Sequence, residues 1–210
     1  MLAGAPGKIG YWNAGTGGLT GKNGMNLPTN LEIGDVPFKP WAKALYEERR
    51  RDQQKNDPHA RCMPPGGPRQ FHTPYGLLLY ELPEMQRVLI LSGGGPRTWR
   101  VVYMDGRPHP GPEAPHTWQG FSTGVWEGNM LTITTTHLKP GYTKRNGIPS
   151  SDKRVITEHW TQHGNYLTVV VVDDDPDFCL MMETALRRLG HEVVATTDAR
   201  EALRAVADAP

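Results

Sequence analysis

Val125-Trp126-Glu127-Gly128-Asn129-Met130-Leu131 is the stretch that decides the fold class. Gly and Asn accept the positive φ that a tight hairpin requires, and the β-branched and aromatic residues beside them favour extended backbone. The segment predicts two antiparallel strands, Gly120–Trp126 and Met130–His137. The same grammar repeats outward from it. Leu77–Glu81, Arg87–Leu91, Trp99–Met104, Val155–Gln162 and Tyr166–Val172 read as further short strands, with Asp105-Gly106 and His163-Gly164-Asn165 as turns. Short strands joined by tight turns predict a mixed, mainly β fold, an antiparallel β meander or small barrel.

Upstream, residues 1–36 read as an irregular Gly-rich arm with a short strand at Ile9–Trp12. Pro37 to Lys55 predicts one helix, since Pro40 suits a helix start. Trp41, Ala44, Leu45 and Glu48 would share its apolar face, and Arg49-Arg50-Arg51 would form a solvated end aligned with the helix dipole. A β-rich domain then occupies residues 37–167. From residue 168 the pattern changes to strand–helix–strand–helix. Phe178, Met181, Met182, Ala185, Leu186 and Leu189 recur at helical spacing, Gly190 is a helix stop, Glu192 to Thr196 is a strand, and Asp198 is an N-cap for Ala199 to Ala207.

Composition narrows the function classes. The chain has 210 residues and a formal net charge of +1, so no global field favours nucleic acid. Gly 24 and Pro 19 with a mean hydropathy of −0.54 fit a loop-rich β protein. No apolar run approaches the roughly 18 residues of a membrane span. Met1 to Gly10 has no apolar core of a signal peptide, which predicts a cytoplasmic location. Cys62 and Cys179 fall in different segments and read as free thiols.

The most acidic point is Val169-Val170-Val171-Val172-Asp173-Asp174-Asp175-Pro176-Asp177-Phe178. Four consecutive β-branched residues predict a strand covered on both faces, and clustered carboxylates repel one another unless a cation or phosphate chemistry uses them. This run, with ETALRRLGHEVVATTDAREALRAV after it, resembles the first third of a response-regulator receiver domain. The resemblance implies a doubly wound, flavodoxin-like βαβα segment over residues 168–210, truncated before the phospho-acceptor Asp, the hydroxyl residue and the Lys. Of the site residues only Asp173 and Asp174 have counterparts, and two adjacent carboxylates would hold Mg²⁺ weakly. Phosphorelay signal transduction and a histidine kinase partner are implied by that resemblance alone.

A second resemblance covers about Trp12 to Tyr166, through PFKPWAKALYEERRRD, RCMPPGGPRQF, YMDGRPHP and STGVWEGNMLTITTTHL. These resemble an uncharacterised, often exported bacterial family of unknown function. Both resemblances meet at a Val-rich strand followed by Asp-Asp-Pro, so the junction reads as a gene fusion or an assembly error. Tyr166–Val172 would then be a central strand, antiparallel to Val155–Gln162 and parallel to Glu192–Thr196.

The histidines, serines and tryptophans are the other candidates for chemistry. His109, His116, His137, His159 and His163 read as surface or structural side chains. The alternative is a metal site, in which His159 and His163 converge with Glu158 or His137. Ser92-Gly93-Gly94-Gly95-Pro96 lacks the helix and Lys of a phosphate loop, and Ser122 and Ser150–Ser151 lack a nucleophile elbow. Trp99, Trp118, Trp126 and Trp160 read as core, or as the lining of a hydrophobic ligand cavity. The chain thus reads as non-enzymatic, a signalling protein or the relic of one; the alternative is an extracytoplasmic small-ligand-binding β-domain with a spurious tail, and a metal-dependent hydrolase using the histidines is the least favoured reading.

Overall fold

The computed structural model describes residues 9–12, 38–52, 55–72, 77–93, 99–143, 147–163 and 166–173. It is mainly β, with one α-helix among the described residues, α1 (Pro40–Arg51). The strands are β1 (Ile9–Trp12), β2 (Leu77–Leu82), β3 (Arg87–Ser92), β4 (Trp99–Tyr103), β5 (Phe121–Glu127), β6 (Met130–Thr136), β7 (Gly141–Tyr142), β8 (Pro149–Ser150), β9 (Ile156–His163) and β10 (Tyr166–Asp173). Eight of them form one sheet in the order β1-β2-β3-β4-β5-β6-β9-β10, and β7 and β8 form a separate hairpin. The hairpin at 125–131 is present, with Trp126 opposite Leu131, Glu127 opposite Met130 and Gly128 at φ 64°.

The sheet is mixed rather than a pure antiparallel meander. β4 and β5 run parallel, pairing Val102 with Ser122 and Tyr103 with Thr123. Asp105-Gly106 is therefore not a hairpin turn. It opens the long 104–120 connection, because a parallel neighbour can be reached only by a crossover. Four prolines in that connection lack the N–H that a hairpin ladder needs.

Strand alternation builds the core. Val88 and Ile90 on β3, Leu131 and Ile133 on β6, and Ile156 and Trp160 on β9 are buried on one face of the sheet. Leu77, Leu79 and Val102 join them, with Met104, Trp126, Leu167, Val169 and Val171 packed at the margin. The sheet curls around this face. β4 and β9 are separated by β5 and β6, so Arg100 and Glu158 would stand about 14 Å apart on a flat sheet, at about 4.8 Å per strand. Their side chains meet at 2.6 Å. Only a sheet bent into part of a barrel brings them together.

The helix buries a different stripe from the expected one. Ala42 and Tyr46 are buried, Arg49 is half-buried, and Trp41 is 47 % exposed. Nor is the arginine run uniformly solvated. Arg49 donates from Nη1 to the carbonyls of Gly141 (3.0 Å) and Gly147 (3.2 Å), and its guanidinium lies 3.8 Å over the Tyr142 ring. Arg49 thereby ties α1 to the β7–β8 hairpin, while Arg50 and Arg51 stay exposed.

β10 pairs with β9 along its whole length, from Tyr166 opposite His163 to Asp173 opposite Ile156. Val169 to Val172 are all half-buried. Their only partner strand among the described residues is β9. The proposed parallel partner Glu192–Thr196, the helices around it and the rest of the flavodoxin-like segment lie outside the described residues.

Candidate functional site

The inner face of the curled sheet holds a polar centre. Arg100 donates from Nη1 to Glu158 Oε1 (2.7 Å) and from Nη2 to Glu158 Oε2 (2.6 Å), and Trp160 Nε1 donates to Glu158 Oε2 (2.9 Å). All three side chains are sealed from solvent. Two parallel charge-assisted bonds with an indole N–H fix the carboxylate's plane, so the centre is locked. The sequence points to Trp160 as core and to Glu158 as a partner of histidines, but not to Arg100 or to the pairing of the three. The signal was there, since Glu158 stands between Ile156 and Trp160 at inward positions, and Arg100 is two residues from Val102.

Beyond this lock the same face opens at one end. Met104 and Trp126, with Val88 and the Pro83–Met85 turn that ends at Gln86, surround a cavity of about 470 Å³. Val125 forms its rim and is 55 % exposed. Gly124 keeps the floor low, since a Cβ there would lie 2.6 Å from Met104 Sδ and 2.9 Å from Val102 Cγ1. Two charged residues complete the wall, Glu81 and Arg87. Glu81 Oε1 and Arg87 Nε are buried and have no hydrogen-bond partner among the described residues. A buried polar atom without a partner is costly unless something supplies the missing bond, and both of these belong to cavity-lining residues.

The tryptophans separate by role. Trp160 is core, and Trp126 is half-buried at the cavity. Trp99 is 44 % exposed on the other face, and Trp118 lies in the 104–120 loop rather than on a strand.

Three of the five histidines come together, around hydroxyl groups. His137 Nε2 faces the Gly111 carbonyl at 3.0 Å, and a carbonyl only accepts, so that nitrogen carries the proton. In neutral His137, Nδ1 then accepts from the Thr136 hydroxyl (2.7 Å). The Thr136 oxygen in turn accepts from His109 Nδ1 (2.7 Å), and His109 Nε2 accepts from the Thr123 hydroxyl (2.8 Å). His116 Nδ1 donates to the Leu138 carbonyl (3.0 Å), with its ring 5.1 Å from that of His137. Burial, helped by the neighbouring His137, lowers the His109 pKa, which agrees with a neutral His109 ring. His137 sits at φ 57°, a strained position for a residue with a side chain. It ends β6, and its carbonyl accepts from Thr117 N at 2.9 Å. The cluster pins the 104–120 loop to the sheet.

Glu158 and His159 do not converge. Glu158 points to the inner face and His159 to the outer one, because neighbours on a strand alternate. His159 Nδ1 lies 3.0 Å from Thr132 Oγ1, and burial lowers its pKa. The His163 side chain lies outside the described residues. Among the described residues no three His, Cys, Asp or Glu side chains are grouped so that they could hold a metal ion.

Asp173 closes β10 opposite Ile156, whereas Asp174, the other carboxylate implied for Mg²⁺, lies outside the described residues. Ser122 Oγ is bonded to Thr135 Oγ1 at 2.8 Å in the interior, Cys62 is exposed and free, and Cys179 is outside the described residues. No helix among the described residues is long and apolar enough to cross a membrane. No family model, curated protein or solved structure matches the chain.

Proposed function

We propose that the curled sheet is a non-catalytic binding module for a small molecule with an apolar body and a polar head. The observation that carries this is the cavity at the open end of the core, where Met104, Val88 and Trp126 face a space of about 470 Å³ beside two unsatisfied buried polar atoms. The volume is within the ordinary range for small-ligand pockets, roughly 300–1,000 Å³, and an apolar wall with few polar groups is their usual chemistry. The ligand body would bury the Trp126 ring. Its head would donate to Glu81 Oε1 and accept from Arg87 Nε. Apart from Glu81, Gln86 and Arg87 the wall is apolar or backbone, a lining suited to binding. The phosphorelay role stays a proposal resting on resemblance, in which only Asp173 and Asp174 have counterparts among the site residues, and Asp174 lies outside the described residues.

The probe for this reading is 8-anilinonaphthalene-1-sulfonate, an apolar ring system with an acceptor head. Its fluorescence should rise saturably on mixing with the full chain. Trp126→Ala removes the stacking wall and should weaken binding about tenfold, a loss of roughly 1.4 kcal/mol. Val125→Glu changes an exposed rim residue, so the fold is kept while a negative charge faces the sulfonate; it should weaken binding by a similar factor. Absence of saturable binding, or wild-type affinity in both variants, would overturn the reading.

A further inference from the structure

A second cavity, of about 570 Å³, lies between α1 and the segment that follows β8. It shares no lining residue with the cavity at the core's open end. Its charge is one-sided. Lys39, Arg49, Lys153 and Arg154 contribute four cations to the wall, against the single carboxylate of Asp152. That concentration stands out in a chain whose net charge is only +1. A concave wall of one sign focuses the field into the cavity and raises the local concentration of anions.

Three further observations define what the cavity would take. Arg49 is held in place by the Gly141 and Gly147 carbonyls and by the Tyr142 ring, so its charge is presented without further ordering cost. Ser150 Oγ, also in the wall, is buried with no hydrogen-bond partner among the described residues and can donate to an acceptor. Trp41 lines the cavity and is 47 % exposed, an unusual exposure for a large flat ring at the first turn of a helix. Cations for an oxyanion, a free hydroxyl donor and an open indole face together describe one class of ligand. We propose that this cavity is a binding site for a small phosphate or sulfate monoester of a planar organic group, with the ester oxygens among Lys39, Lys153 and Ser150 and the planar group stacked on Trp41.

Calorimetric titration of the full chain at low ionic strength tests this, with phenyl phosphate, phenyl sulfate, inorganic phosphate and inorganic sulfate as the probes. Phenyl phosphate or phenyl sulfate should bind about tenfold more tightly than the matching inorganic anion, because stacking adds to the charge contacts. Lys39→Ala and Lys153→Ala each remove an exposed cation, so the fold is kept. Each should weaken every anion about tenfold. Trp41→Ala should bring the phenyl ester down to the inorganic anion while leaving the latter unchanged. Whichever ester binds more tightly identifies the head group. The proposal is overturned if no anion binds at millimolar concentration, if the Lys39→Ala/Lys153→Ala double variant binds as well as the wild type, or if the phenyl ester gains nothing over the inorganic anion.

Discussion

Arg100–Glu158 and Arg107–Asp105 are the same chemical pair in two surroundings. Each arginine meets its carboxylate through two nitrogens. The first pair spans β4 and β9 inside the curled sheet, with almost no exposure. The second joins residues two apart at the start of the 104–120 loop, with both side chains partly in water. Arg107 also rests 3.9 Å over the Tyr103 ring. The difference is what each pair does for the fold. A surface pair contributes little, since water already solvates its charges. The inner pair has given up that solvation, so each partner depends on the other. It also stands where the sheet's curvature is fixed, and a flat sheet would leave both charges alone.

Breaking the inner pair should therefore have the largest effect in the molecule. Glu158→Gln leaves Arg100 buried without a counter-charge and should cost about 3–5 kcal/mol, read from the midpoint of urea unfolding. The companion experiment replaces both partners, Arg100→Met with Glu158→Leu. A double variant about as stable as the wild type would show that most of the single-variant loss comes from the stranded charge. A Glu158→Gln protein that unfolds at the wild-type urea concentration would break the comparison at its root.

A third pair lies between these extremes and brings pH into the comparison. Arg69 donates to both oxygens of Asp57 at 2.7 Å, near the turn Pro58–Arg61, and Asp57 Oδ1 also accepts from His59 N at 2.9 Å. Burial pushes the Asp57 pKa up, but the bonds from Arg69 and His59 outweigh it, and the net shift is downward. A carboxylate with a folded-state pKa below its unfolded value stabilises the fold above the unfolded pKa. That contribution is lost as pH falls through the folded pKa. At neutral pH Asp57→Asn should cost about 2–3 kcal/mol. The gap to the wild type should narrow as the pH drops below about 4, because the wild type then loses what the variant never had. A gap that stays constant from neutral pH to about pH 2 would count against Asp57 as an ionised partner.

These three pairs also show what a sequence reveals. Strand positions were legible because each strand repeats its own signal with period two, and every predicted strand of the β-domain appears within a residue or two of its expected ends. The parallel β4–β5 neighbourhood was not, because which strand lies beside which depends on the whole sheet rather than on either strand. The helix was legible, yet its buried face was misplaced. Ala42, Tyr46 and Arg49 follow helical spacing, but an arginine in a charged run does not announce that two backbone carbonyls and a tyrosine ring await it. The polar centre was within reach from charges at inward strand positions. The two cavities were not, since each is assembled from elements far apart in the chain, and only folding puts Glu81 beside Trp126 or Lys39 beside Lys153.

The smallest effect belongs to the surface pair, and it sharpens the comparison because a titration can see what stability cannot. The hydrogen bonds from Arg107 hold the Asp105 carboxyl down to about 2, below its ordinary 3.8, and the same contact raises the Arg107 guanidinium. The sign places this contribution above the unfolded pKa, with loss as the pH falls toward 2. Both groups are solvated, so the unfolding midpoint of Asp105→Asn should match that of the wild type within error at neutral pH. The carboxyl itself should still report the pair. Followed by carbon-detected NMR, the Asp105 titration should centre near 2 in the wild type and return toward 3.8 in Arg107→Ala. Added salt should move the wild-type midpoint upward as screening weakens the attraction. If Asp105 titrates at its ordinary value with Arg107 present, the loop pair does not persist in solution. If Asp105→Asn destabilises the fold as much as Glu158→Gln does, burial is not what separates the two pairs.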